Sequence, residues 1–204
     1  MKLLETHHRI FVTSDTHFGH DRIIEFCNRP FADVDEMTEV MIQDWNDLVD
    51  PKDIVIHLGD FAYKIRSDRA IDIFESLNGQ FVFTYGNHDS KRFIKHLDGS
   101  KKVIKADHII RAATELRDGT TMDLFLCHYP MASWAGQGHG AIHLHGHMHG
   151  NTSHEFVSTV KNRQDVGMDA YGMYIPRLLK SVLQGIRERN ESITYPPKPS
   201  NPKS

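Results

Sequence analysis

Five short apolar runs in this chain each stop at residues whose side chains can bind a metal ion, and no other feature limits the fold as tightly. Arg9–Ser14 (RIFVTS) runs into Asp15-Thr16-His17, Asp53–Leu58 (DIVIHL) into Gly59-Asp60, and Gln80–Tyr85 (QFVFTY) into Gly86-Asn87-His88-Asp89. Met122–Cys127 (MDLFLC) ends at His128, and Ala141–His145 ends at Gly146-His147-Met148-His149. Each run has the length and the β-branched or aromatic content of a buried strand. Helical patterns alternate with them: Asp21–Cys27, then Asp35–Val49 with Met37, Val40, Met41, Trp45 and Leu48 near one stripe. A third is opened by Ser67, repeats Ala70, Ile71, Phe74 and Leu77 with helical period, and stops at Asn78-Gly79. Strands alternating with helices indicate an α/β domain with an at least partly parallel sheet.

Beyond Lys91 the chain reads as richer in strands: Lys102–Ala106, Ile109–Leu116 and Thr121–Cys127, with Asp118-Gly119 as a hairpin turn. Gln164–Asp169 and Tyr171–Ile175 are expected as two short strands, and Pro176 as the opening of a helix carrying Leu178, Leu179, Val182, Leu183 and Ile186. Residues 1–189 then form one domain, and 190–204, with four prolines, a disordered tail.

Ligands at the carboxyl ends of several strands converge, because an open α/β sheet gathers its loops at one edge. In Asp15-Thr16-His17 the i, i+2 spacing sets carboxylate and imidazole on one side of an extended segment, and His147 with His149 repeats it. The donors available are Asp15, His17, Asp60, Asn87, His128, His147 and His149. Seven exceed the needs of one tetrahedral zinc but suit two divalent ions bridged by one carboxylate, for which Asp60 is the candidate. Thiolates play no part: Cys27 and Cys127 are a hundred residues apart with no CxxC, so neither a disulfide framework nor a zinc–thiolate site is indicated. Twenty-four Lys and Arg against 27 Asp and Glu leave a net charge of −3, which excludes a global positive field for nucleic acid or membrane. No apolar stretch approaches the roughly 20 residues of a membrane span, and the polar start MKLLETHHRIF lacks a secretory core, so a cytoplasmic location is expected.

In order, D-x-H, GD, GNHD, a single His and GHxH between Asp15 and His149 resemble the calcineurin-like metallophosphoesterase superfamily. With SDTHFGH at 14–20 and a final strand-plus-helix, the pattern is similar to small stand-alone bacterial and phage members. The resemblance implies a four-layer α/β/β/α sandwich with two mixed β-sheets and a dinuclear metal site at the strand ends. It implies that Asp15, His17, Asp60 and His149 hold one metal and Asp60, Asn87, His128 and His147 the other. His88 would face the phosphate and assist the leaving group, with Asp89 orienting it; a turn-capping aspartate fits Asp89 as well. The cofactors implied are two divalent ions, manganese first, with iron, zinc, nickel or cobalt as alternatives. The reaction implied is hydrolysis of a phosphate ester, a phosphodiester in preference, by in-line attack of a hydroxide bridging the two metals. A phosphomonoesterase or nucleotidase of the same fold is the nearest alternative. A non-catalytic metal-binding scaffold, or a metal buffer built on the six histidines between His139 and His154, lies further off. The substrate partner is then a phosphate ester, such as a nucleotide or nucleic-acid end, with no membrane and no obligate protein partner.

Three further residues are candidate substrate contacts: His20, in a loop beside the first block; Arg92, just after GNHD; and Trp134, which could stack on a ring as could Tyr85 and Tyr129. The basic run Lys91, Arg92, Lys95, Lys101, Lys102, Lys105, Arg111 either steers an anionic substrate or forms a solvated face, the latter slightly favoured. His57, His143 and His145 alternate with aliphatic residues and are expected to be hydrogen-bonded core histidines, and Cys127 a buried inert thiol.

Overall fold

Strands that are apolar on both faces must be covered on both, and the chain meets that demand with two sheets and a set of helices. The computed structural model describes residues 1–4, 8–115, 119–151 and 160–192. The strands are β1 (Lys2–Leu4), β2 (Ile10–Thr13), β3 (Ile54–His57), β4 (Gln80–Thr84), β5 (Val103–Asp107), β6 (Ile109–Glu115), β7 (Thr121–Cys127), β8 (Ile142–His145), β9 (Arg163–Asp165) and β10 (Arg177–Leu178). The helices are α1 (Asp21–Cys27), α2 (Val34–Leu48), α3 (Ser67–Ser76), α4 (Lys91–Gly99), α5 (Met168–Tyr171) and α6 (Leu179–Ser192). One sheet runs β10-β2-β3-β4-β5, all neighbours parallel except β10 with β2. The other runs β1-β6-β7-β8-β9, all parallel except the hairpin pair β6 and β7.

Alternation along the strands sorts residues by size between two layers. Phe11, Phe81 and Phe83 point to one face of the first sheet, where they meet Ile23, Met37, Met41, Trp45, Ile73, Phe74 and Phe93 from α1–α4. Ile10, Val12, Ile56 and Val82 point to the other face and meet Ile110, Leu124, Leu126, Ile142 and Leu144 of the second sheet. Aromatic rings thus fill the gap beneath helices, and branched aliphatics fill the flatter gap between sheets. Leu179, Val182, Leu183 and Ile186 of α6 join that inter-sheet layer. The result is a mixed α/β sandwich of two mixed sheets with helices packing on both sides, as expected.

Local differences have local causes. Tyr171–Ile175 is not a strand: Gly167 opens α5 over Met168–Tyr171, and Gly172, with φ of 60°, ends it. The last helix starts at Leu179, not Pro176, because Arg177 and Leu178 pair with Val12 and Phe11. α6 continues through Ser192, and the rest of the expected tail, 193–204, lies outside the described residues, as does Asp118 of the expected turn. β1, three residues long, is too short to show a period in the sequence.

The basic run is partly consumed by structure. Arg92 pairs with Asp68 and Lys105 with Asp107. The Lys102 ammonium caps the end of α3, donating to the carbonyls of Phe74 at 3.0 Å, Glu75 at 3.1 Å and Leu77. A cation there meets the negative end of the helix dipole. Lys102→Ala is expected to cost about 1–2 kcal/mol of folding stability. Urea denaturation should show a lower midpoint at unchanged slope; an unchanged midpoint would remove Lys102 from this role.

Candidate metal centre

The ends of β2, β3, β4, β7 and β8 bring residues from distant parts of the chain to one place. The backbone N–H of His147 donates to both carboxylate oxygens of Asp15, at 3.1 and 3.0 Å. Asp15, His17 and His149 present donor atoms within 4.8 Å of one another, and Asp60, His128 and His147 do the same. Asp60 links the groups: its Oδ2 lies 3.6 Å from Nε2 of His17 and 3.4 Å from Nε2 of His128. Asn87 Oδ1 is 3.1 Å from the same nitrogen of His128. The two groups therefore meet at the Asp60 carboxylate, with Asn87 beside His128.

This convergence strains the backbone. Asp15, His17, Asp60, His147 and His149 have φ of 57°, 51°, 54°, 71° and 48°. A side-chain-bearing residue in the left-handed region costs of order 1 kcal/mol or more, so other contacts must hold these turns. Two glycines make room for the carboxylates. A Cβ on Gly86 would sit 2.2 Å from Asp60 Oδ1, and one on Gly146 would sit 2.2 Å from Asp15 Oδ2. The Asp89 carboxylate accepts from the backbone N–H groups of Asp60 at 3.1 Å, Phe61 at 2.9 Å and Gly86 at 2.8 Å. It therefore braces the Asp60 turn, the turn-capping one of the two roles open to it.

Arg29 and Asp169, which carry no motif, complete the frame. The fully buried Arg29 guanidinium grips Asp169 with two hydrogen bonds, 2.9 and 2.8 Å, and donates to the carbonyls of Asp15 and Thr16, each at 2.9 Å. Asp169 accepts from Nδ1 of His149 at 2.7 Å, which leaves Nε2 of that ring toward Asp15. His128 is set likewise: Nδ1 donates to the Leu58 carbonyl at 2.8 Å, so Nε2 faces Asp60 and Asn87. Asp169 lies beyond the end of β9 and after Gly167, and it belongs to none of the motif blocks.

Buried charge is unevenly distributed. Burial pushes the Asp15 carboxyl up to about 7, against the pull of His149 and His128. Burial also opposes charge on Asp60, but the hydrogen bond and charge of His128, the His88 N–H and His17 together hold it well below the usual carboxylate range. Burial pulls His149 down, yet Asp169, Cys27 and Asp15 outweigh it and lift the ring to about 10. Burial and the nearby His149 keep His17 neutral, far below its ordinary value. Its Nε2 is buried without a hydrogen-bond partner among the described residues. A neutral imidazole with an unpartnered ring nitrogen beside two carboxylates has the chemistry of a divalent-metal donor, so these residues fit a metal centre.

His17, His20, His88, His147 and His149 face a cleft of about 500 Å³, walled also by Ile23, Phe26, Cys27 and Met148. His20 stands there, its ring 4.3 Å from that of Tyr63, and burial with the nearby His88 lowers it to about 4. Trp134 does not: it is buried against Phe125, Cys127 and Ala141 and donates to the Ala141 carbonyl at 2.8 Å, so no face is free to stack. Arg92 extends from α4 to Asp68 and lies outside the residues lining this cleft. Tyr129 edges His128 and His147 and is 43% exposed, while Tyr85 donates to Asp98. His57 stacks on Phe83 and bonds Thr16 and the Gly59 N–H. His143 and His145 are buried with ring nitrogens at backbone carbonyls, so they are core residues and not members of a histidine-only metal cluster.

A family model described as calcineurin-like phosphoesterase matches residues 8–151. The uncharacterized protein MJ1445 of Methanocaldococcus jannaschii is 34% identical over 164 residues, covering 78% of this chain and 80% of the relative. Gene 66 protein of Mycobacterium phage L5 is 28% identical over 189 residues, covering 81% and 88%. The crystal structure of AQ665 from Aquifex aeolicus, a protein of unknown function, superposes with a TM-score of 0.63 at 20% identity and covers 86% of this chain and 98% of its own, a likeness of fold. The chain belongs to the calcineurin-like phosphoesterase family.

Proposed function

We propose that this member of a family of metal-dependent phosphoesterases works with two divalent cations and hydrolyses phosphodiesters in preference to monoesters. The observation that carries the proposal is the position of Asp60 Oδ2 between His17 and His128, one from each ligand group. Asp15, His17, Asp60 and His149 would hold one cation, and Asp60, Asn87, His128 and His147 the other. When bound, such ions supply Lewis acidity to phosphoryl oxygens and acidify water. Manganese is the preferred metal and the cytoplasm the proposed location. Residues 1–189 are proposed as the single catalytic domain.

The remaining work falls to the protein's own groups. His88, with 35% of its side chain exposed, is held by its N–H to Asp60 Oδ1 at 2.8 Å, and its Nε2 lies 3.9 Å from Asp60 Oδ2. Edge-to-face contacts with Tyr63 and His17 fix its ring at the cleft. From there it can hydrogen-bond or protonate the departing ester oxygen. An open cleft leaves room for ester groups on both sides of phosphorus, which supports the diester preference and a nucleotide or nucleic-acid end as substrate.

Asp60→Asn is expected to weaken both cation sites and to lower Mn²⁺-dependent hydrolysis of bis(p-nitrophenyl) phosphate at least about 100-fold. Unchanged turnover would remove Asp60 from its shared role. His88→Ala should keep cation binding and lose about 10²–10⁴ in kcat; loss of cation binding instead would make His88 structural. Asp15 and His149, with values lifted to about 7 and about 10, hold protons that a cation must displace. Mn²⁺ affinity should therefore rise with pH from 5 to 8, with proton release on binding. Calorimetry in buffers of different ionisation enthalpy reads both; pH-independent affinity without proton release would contradict the assignment.

A further inference from the structure

We propose that the outer end of this cleft is a nucleobase subsite built on Phe26, so that the phosphate ester turned over is a nucleotide; this rests on the phosphoesterase function proposed above. Ile23 takes the buried side of α1, and Phe26, three residues on, lies about 60° round the helix from it. Phe26 is 63% exposed, the most exposed large apolar side chain among the described residues, and it lines the same cleft as His17, His88 and His149. Two contacts set its ring, one at its edge and one over a face, and still leave most of the side chain exposed. The His20 ring meets it edge-on at 6.4 Å, and the Arg22 guanidinium lies 5.4 Å from its centroid.

The ring is two aromatic contacts from a candidate metal ligand. His17 and His20 are 5.3 Å apart, and His20 then meets Phe26, so a group on Phe26 is separated from the phosphoryl position by the width of one imidazole and its contacts. A sugar between base and phosphate spans a gap of this kind. The surrounding wall is mixed: Ile23 and Met148 are apolar, while His20 and Asn151 carry polar edges. A plain hydrocarbon would use only the former. A nucleobase offers a flat face to the phenyl ring and hydrogen-bonding edges to its neighbours, and stacking of this type tolerates any base.

The test is calorimetric binding to the full Mn²⁺-loaded chain of three ligands: AMP, ribose 5-phosphate and phenyl phosphate. AMP and ribose 5-phosphate share sugar and phosphate, so their affinity ratio isolates the base. AMP is expected to bind about tenfold or more tighter. Phe26→Ala should bring the ratio close to one, Phe26→Trp should keep or raise it, and Ile104→Ala, at an exposed apolar residue on β5, should leave it unchanged. Equal affinities in the unmodified protein, or a ratio that survives Phe26→Ala, would overturn the subsite. Tight phenyl phosphate binding without an AMP advantage would replace the nucleobase by a simple aryl group and equally overturn it. Binding is read without turnover, so a chain that prefers AMP but hydrolyses nothing would sink the catalytic proposal alone, and one that hydrolyses diesters without base preference would sink the subsite alone.

Discussion

The carboxylate of Asp15 is the joint on which the two halves of the molecule close. It is fully buried, it follows the first strand of one sheet, and it accepts the N–H of His147 from the loop after β8 of the other. Its backbone N–H donates to Gly59 at 3.0 Å, and its carbonyl receives Arg29. A lone buried carboxylate is costly, and here its burial lifts it to about 7. Protein donors relieve only part of that cost, and a cation bound among Asp15, His17 and His149 would relieve the rest.

A second theme is the division of labour among histidines of the same apparent pattern. His143, His145, His147 and His149 share one alternation, yet the first two are core residues tied to backbone carbonyls and the last two are candidate ligands. The difference lies in the backbone. β8 ends at His145, and His147 and His149 then enter the left-handed region, which breaks the alternation of the strand. That strain is held by contacts from elsewhere: Asp15 for His147, and Asp169, anchored by Arg29, for His149.

This also explains what a linear reading can and cannot reach. The strands and the seven candidate ligands were legible because each ligand sits at the end of a strongly apolar run, and a parallel sheet sends such ends to one edge. The two roles open to Asp89 could not be told apart in sequence because its three partners are backbone N–H groups, which leave no trace in residue identity. Arg29 and Asp169 escaped notice because a positioning pair 140 residues apart has no local spacing. Trp134 was misplaced for a related reason: proximity to His128 in sequence says nothing about which face of the second sheet a loop covers. Phe26 shows the converse, a ring on an ordinary-looking helix that only the fold brings to the cleft.

The central claim, that Asp60 is shared by two cations, is tested most directly by anomalous diffraction from crystals of the protein grown with Mn²⁺. The account predicts two peaks, one on each side of the Asp60 carboxylate, with His17 and His149 at one and His128 and His147 at the other. A single peak, or two peaks of which neither contacts Asp60, would contradict it.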